Sequence, residues 1–284
     1  MKSLSVWKVT SRPDQIIILP VFLPEEIRTL DGASLCLPGG AYTTLRTYHG
    51  DKVLHFADHV HRLEETAQLT GQPHRLDEQN LRTVIRNLLK DYPGGENVRI
   101  RLILDLEQVV GELYILVEPL IVPSSVAYQQ GVRVITCDIQ RQLPKAKLTR
   151  FIDRSSPLRE TLSPEVNEAI MLDVQERFLE GLSSNFFAVI GGVVWTAEQG
   201  VLSGITRALV IECASRFGFP LRLDPPPRDD IISFNEVFIT SSSRGVLPVR
   251  QIDQSRIGID CPGPITRRLM AAYLTSLEDQ IEPV

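Results

Sequence analysis

Residues 147–207 constrain this chain more than any other stretch. They run KLTRFIDRSS, a helical interval, NEAIMLD, FLEGLSSNFFAVIGGVVWT and VLSGITRALVIECA. The β-branched and aromatic runs read as strands at 169–173, 186–190 and 193–196. The small-residue turn Ser203-Gly204-Ile205-Thr206 then opens an apolar-periodic helix over 206–217. A lysine stands at the start of the stretch and a glutamate in the Glu180-Gly181 turn. An amine, a carboxylate and a phosphate-sized nest of backbone donors therefore share one stretch.

The same patterning predicts the remaining elements. Residues 15–23 (QIIILPVFL) read as a buried strand. A Pro-Gly-Gly break at 38–40 precedes AYTTLRTY, a strand, and His49-Gly50-Asp51 turns it into a returning strand over 52–56. Asp58 reads as the N-cap of a helix that carries Val60, Leu63, Ala67 and Thr70 and ends at Gly71. Leu81, Val84, Ile85, Leu88 and Leu89 mark a second amphipathic helix, closed by the break at 93–95. Strands at 98–104 and 112–117 complete an α/β sandwich domain over 1–119. Residues 120–130 read as a linker. Further strands at 132–137, 221–223 and 236–240, with a C-terminal helix at 264–277, make 131–284 a larger, barrel-like α/β domain.

Length and charge narrow the function classes. A chain of 284 residues accommodates two domains, and 43% hydrophobic with 23% charged residues suits a soluble globular protein. The net charge of −5 gives no electrostatic case for nucleic acid. The four cysteines stand far apart without a C-x-x-C pair, which reads as idle thiols in a reducing cytoplasm. The N-terminal residues lack the apolar core of a signal peptide, and no apolar run is long enough to span a bilayer. G-x-S-x-G, G-x-G-x-x-G, Walker and H-E-x-x-H motifs are absent. His55 stands outside the first helix, and His59 and His61 do not share a helix face, so no metal site is expected.

Each candidate group also has a bland interpretation. Lys145 and Lys147 in LPKAKLT are surface lysines unless one forms an imine with an aldehyde cofactor, which requires an uncharged amine. Leu148 and Phe151 give Lys147 the more apolar setting. Glu180 is either a turn acid or the partner of a protonated pyridine nitrogen, which makes such a ring an electron sink. Gly204, Ile205 and Thr206 either cap a helix or offer N–H groups and a hydroxyl to an anion. Arg62 on the first helix is a surface arginine or a phosphate contact. The run TSSS at 240–243 is a further donor-rich turn.

Taken together these segments resemble the class IV, or fold type IV, pyridoxal-phosphate enzymes. That family holds the branched-chain and D-amino-acid aminotransferases and 4-amino-4-deoxychorismate lyase. The resemblance runs from about residue 40 to the C-terminal helix. In GAYTTLRTYHGDKVLHFADHVHRLEETA, the H-x-x-R-L portion implies that Arg62 binds phosphate. The spacing to Glu168 of NEAIMLD matches the family's cofactor lysine and selects Lys147 over Lys145. EGLSSNFF matches E-G-x-S-S-N-x-F and makes Glu180 the pyridine-nitrogen partner. LSGITR is similar to L-P-G-I-T-R, so Ile205 and Thr206 would hold phosphate. By the resemblance of TSSSRGVLPVRQID, Ser242 would touch phosphate and the Ser243 amide a substrate carboxylate.

The chain also departs from the family. LCLPGG stands where D-R-G and G-D-G are usual. The aromatic hydroxyl usual four residues after the lysine is Phe151 here, which leaves Arg150 or water to meet the ring oxygen. The T-R-G carboxylate clamp of the D-amino-acid enzymes is missing from RIRLILDL, whereas Arg101 resembles an arginine of the branched-chain type. Thr43-Thr44 in YTTLR resembles the F-T-T-A-R of the lyase.

The resemblance implies a fold type IV α/β architecture, pyridoxal 5'-phosphate as cofactor and a cytoplasmic homodimer. It implies an aminotransferase working between an amino acid and a 2-keto acid, with Lys147 as the acid–base group. Thr43, Thr44, Arg101 and Ser243 are the expected substrate contacts. The alternative is the lyase, which releases pyruvate and 4-aminobenzoate from aminodeoxychorismate. A non-catalytic member of the fold is a third possibility. The expected partners are small molecules, with no nucleic acid, membrane or metal.

Overall fold

The computed structural model describes residues 4–12, 15–94 and 96–284. Gly95, at the end of the expected break, lies outside the described residues, as does part of the N-terminal segment. The chain divides into two compact units. The first comprises Met1–Ile121, Ala146–Ser156 and Gln280–Val284; the second comprises Val122–Lys145 and Pro157–Asp279.

The first unit contains β1 (Ser5–Arg12), β2 (Gln15–Pro20), α1 (Leu30–Leu35), β3 (Gly40–Arg46), β4 (Lys52–Leu54), α2 (Phe56–Leu69), α3 (Glu78–Lys90), β5 (Val98–Asp105) and β6 (Leu113–Pro119). Five strands form an antiparallel sheet in the order β2-β1-β6-β5-β3. Strand alternation gives that sheet two buried faces. Ala41, Leu45, Ile100 and Leu102 pack with Val60 and Leu63 of α2 on one face. Tyr42, Ile103 and Leu116 pack with Leu30 and Ala33 of α1 on the other.

Several expectations for this unit are corrected. The strand over 15–23 stops at Pro20 and, as the edge of its sheet, is exposed or half-buried rather than buried, and the partner strand β1 was not foreseen. Among the described residues strand β4 has no ladder with β3, an isolated Tyr48–Lys52 bridge standing at the turn between them; β4 pairs instead with Ile281–Pro283. The N-cap of α2 is His55, at φ 48°, not Asp58, which lies in the first turn. The reason is tertiary: Glu282 Oε1 accepts from the Phe56 N–H at 2.9 Å, so a distant acid satisfies the helix start.

The second unit contains α4 (Ser125–Gln130), β7 (Val132–Cys137), β8 (Val166–Leu172), β9 (Phe178–Gly181), β10 (Asn185–Ile190), β11 (Val193–Trp195), α6 (Ile205–Arg216), β12 (Leu221–Arg222), β13 (Phe234–Ser241), β14 (Gly245–Ile252) and α7 (Pro264–Gln280). Helix α5 (Thr149–Thr161) contains Pro157, where the division between units falls. Helix α4 occupies the end of the stretch read as a linker. The strands run β12-β11-β10-β13-β14-β7-β8-β9, and β9 also pairs with β10, so six of them close on themselves. The closing pair is Asn185 with Glu180. Phe178, Phe186, Ile239, Leu247 and Val249 belong to the core of this barrel. Closure removes the open edges that a sheet of such apolar strands would otherwise expose.

Candidate active site

In the first unit, strand β3 presents its residues in two directions. Thr43 is fully buried on the α2 side, with its hydroxyl 2.7 Å from His59 Nδ1. Thr44 lies on the opposite side and accepts from Arg101 Nε at 3.1 Å. Adjacent strand residues point to opposite faces, so Thr43 and Thr44 stand on different sides of β3. Burial holds the His59 imidazole well below the ordinary histidine range, and the charges of Arg62, Lys147 and His55 add to the effect. His59 is thus a neutral hydrogen-bond partner at neutral pH. Arg62 is half-buried one helical turn further along α2.

Lys147 is half-buried, whereas Lys145 is exposed. The Lys147 N–H donates to Thr66 Oγ1 at 3.1 Å, and its carbonyl accepts from the Tyr42 N–H at 2.8 Å. A bridge between Ala41 and Leu148 and a 2.9 Å bond from the Gly40 N–H to Thr149 Oγ1 extend this attachment. The Lys147 backbone is therefore fixed on both sides, and its Nζ lies 4.8 Å from the Tyr42 ring centroid. Phe151 is buried in the first turn of α5, and Arg150 is exposed. Arg101 also lies against Tyr42, 4.9 Å from the ring centroid, and is bonded to Asp31, Ser34 and Thr44. The sequence pattern did not expose Asp31 or Ser34, because the six-residue helix that carries them was not foreseen.

In the second unit, Glu180 is buried where the barrel closes. Its Oε1 accepts from Arg141 Nε at 2.8 Å, and its Oε2 accepts from Asn185 Nδ2 and the Leu202 N–H, both at 3.1 Å. Asn185 Nδ2 also donates to the Leu202 carbonyl at 2.8 Å, which ties the strand to the approach of α6. Gly204 is required here: a Cβ on it would stand 2.0 Å from Asn185 Oδ1. Gly204 caps α6 without a side-chain bond, and Ile205 and Thr206 are buried in its first turn. Among the described residues, the hydroxyls of Thr206 and Thr240 are buried without a hydrogen-bond partner. Ser242 and Ser243 are half-buried in the turn between β13 and β14.

A second buried glutamate supports that turn. Glu168 Oε2 accepts from Arg244 Nη2 at 2.8 Å, from Ser183 Oγ at 2.6 Å and from Ser184 Oγ at 3.1 Å. Burial alone would raise the Glu168 carboxyl, but Arg244, Arg159 and the Ser183 bond bring it below the ordinary range. Arg244 Nε donates to Ser241 Oγ at 3.1 Å, so the same guanidinium braces both turns.

The profile of the family described as Amino-transferase class IV matches residues 40–252. The chain belongs to this family. It is 32% identical over 163 residues to the branched-chain-amino-acid aminotransferase of Pseudomonas aeruginosa, covering 55% of this chain and 53% of that protein. The alignment thus spans about half the length of that relative. It is 29% identical over 244 residues to the probable branched-chain-amino-acid aminotransferase of Thermotoga maritima, covering 84% of this chain and 86% of that protein. Among solved structures, 4-amino-4-deoxychorismate lyase from Pseudomonas aeruginosa superposes with a TM-score of 0.69 at 25% identity, over 84% of this chain and 91% of that one.

This class IV chain has the fold of the type IV pyridoxal-phosphate enzymes and is itself an enzyme with that cofactor. The residues present fit the group: a half-buried amine, a buried carboxylate held by three donors, and an unpartnered buried hydroxyl in the first turn of a helix. Among the described residues, no group of His, Cys, Asp and Glu could hold a metal ion, and no helix is long and apolar enough to cross a membrane.

Proposed function

We propose that this protein moves an amino group between an amino acid and a 2-keto acid, with the following residues as its machinery. When bound, pyridoxal phosphate supplies an aldehyde carbon that takes the amino group and a pyridine ring that accepts electron density. Lys147 would hold the cofactor through its amine and would carry the proton at the substrate α-carbon. Glu180 would hold the pyridine nitrogen, with Arg141 and Asn185 keeping its carboxylate aimed. Arg62, Ile205, Thr206 and Ser242 bind phosphate, and the Ser243 amide takes the substrate carboxylate. Thr43 and His59 brace α2 behind Arg62. Arg101 and Thr44 act near the substrate side chain.

The observation that carries this assignment is the setting of Lys147, fixed through both backbone groups while Lys145 stays exposed. Branched-chain amino acids, named for the Pseudomonas aeruginosa and Thermotoga maritima relatives, are the first donors to try. A cytoplasmic homodimer completes the proposal. The decisive assay adds cofactor to purified protein and follows a visible absorbance band that borohydride abolishes. A panel of donors of both hands is then tested with several keto acids. Amino transfer is the expected result. Release of 4-aminobenzoate from aminodeoxychorismate without an acceptor would assign the lyase reaction instead. Absence of both activities in cofactor-loaded protein would sink the proposal.

A further inference from the structure

A threonine in a helix commonly turns its hydroxyl back to the carbonyl one turn earlier, or outward to water. Thr70 and Thr83 turn back: their hydroxyls donate to the carbonyls of Thr66 at 3.1 Å and Gln79 at 3.0 Å. Thr66 is placed differently. It is fully buried on the inner stripe of α2 with Leu63 and Ala67, where leucine or alanine would suit the helix better. Its oxygen serves another segment, accepting from the Lys147 N–H at 3.1 Å.

The Lys147 backbone is thereby strung between two elements. Its carbonyl accepts from the Tyr42 N–H of β3 at 2.8 Å, and its N–H donates to α2. Arg62 stands four residues before Thr66, so the two share a helix face with Cβ atoms about 5–6 Å apart. In pyridoxal phosphate the aldehyde and the phosphate arm sit on neighbouring ring carbons, at a fixed separation. One rigid helix carries both the arginine for the phosphate and the anchor of the amine for the aldehyde.

We propose that Thr66 is a positioning residue: by holding the Lys147 N–H it fixes the amine relative to Arg62, so that α2 acts as the gauge between the two ends of the cofactor. This role rests on the proposed functions of Lys147 and Arg62. Without the hydroxyl, the Lys147 N–H loses its acceptor and the lysine is tied on the β3 side alone. A small misplacement of a reacting group is costly in proportion to how closely it must be aligned.

The test titrates purified, cofactor-free protein with two probes. Pyridoxal phosphate can join the amine with loss of water; pyridoxamine phosphate has no aldehyde and draws on the phosphate and ring contacts alone. Thr47 supplies a matched control: it too is fully buried, and its hydroxyl accepts from the Val98 N–H at 2.8 Å, a bond of the same kind that does not involve Lys147. Relative to Thr47→Val, Thr66→Val should weaken pyridoxal phosphate about tenfold and leave pyridoxamine phosphate within about twofold. Thr66→Ser, which keeps the hydroxyl, should restore wild-type affinity for both. Equal weakening of the two probes, the same loss in Thr47→Val, or Thr66→Ser behaving like Thr66→Val would overturn the proposal. Thr66→Ala repeats the test if valine does not fold, and failure of both to fold would make the hydroxyl a requirement of the helix and overturn it too. Wild-type protein that binds neither probe defeats this role and the aminotransferase assignment together. Transfer assays separate them otherwise: the split between probes in protein that transfers no amino group defeats the assignment alone, and transfer without the split defeats this proposal alone.

Discussion

The two units hold their polar groups in different ways. In the second, Glu180 is held by Asn185, Leu202 and Arg141, and Glu168 by Ser183, Ser184 and Arg244. Buried anions there meet arginines and donors, several of them from the same short turn. In the first, cations surround an uncharged imidazole, and their supports come from scattered segments: Thr66 and Tyr42 for Lys147, Asp31 and Ser34 for Arg101. A site built within one motif carries its own scaffold, whereas a site built across segments depends on the sheet to assemble it.

Four experiments sharpen that contrast. The largest effect falls on the amine. Lys147→Ala should lose the borohydride-sensitive band and lower transfer by about 10³-fold or more, while circular dichroism stays native. Retained transfer would show that another group moves the proton.

Next come the anions of the second unit. Glu168→Gln leaves the mostly buried Arg244 without its counter-charge and should cost about 3 kcal/mol in denaturant unfolding. The sign of the pH effect follows from the lowered Glu168 value. Its folded pKa lies below the unfolded value of 4.5, so its contribution is present above that value and fades as pH falls through the folded one. Unfolding curves of wild type and variant should therefore converge in acid.

His59 in the first unit should act over a higher window. Its folded pKa lies well below the unfolded 6.5, so the unfolded chain takes the proton first and stability declines as pH drops below 6.5. The slope should approach about 1.4 kcal/mol per pH unit, and His59→Gln should flatten it. An unchanged slope would place a charged imidazole in the folded protein.

The smallest effect belongs to Thr206. Its buried hydroxyl has no hydrogen-bond partner among the described residues, so Thr206→Val should leave the cofactor-free protein as stable as before. Cofactor affinity should nevertheless fall by about 1 kcal/mol, read by titration of the absorbance band. An equal loss of stability without cofactor would mean that the hydroxyl serves the fold.

What could be read from residues alone follows the same division. Helix α6, expected over 206–217, runs Ile205–Arg216, and the turn before it lies beside Asn185 of the EGLSSN stretch. Local spacing was enough there because the contacts are local. Strand β1 (SVWKVTSR) and the six residues of α1 escaped because neither has a long apolar period, and both are defined by the sheet they join. Strand β14 contains Pro248, a residue that argues against a strand, yet it pairs along β13 on one side and β7 on the other. The opposite facing of Thr43 and Thr44 was legible in principle, since neighbours on a strand alternate. The partner that turns Thr43 inward, His59, lies on another element and was not.

Residues 280–284 belong to the first unit, Ile281–Pro283 pair with β4, and Gln280 and Glu282 reach His55 and Phe56 at the start of α2. A ribosome makes that helix early and its cap late. The segment bearing His59 and Arg62 therefore has to wait, incompletely tied, until the whole barrel has emerged, and a nascent chain stalled before residue 280 should hold this helix in a frayed, protease-sensitive form.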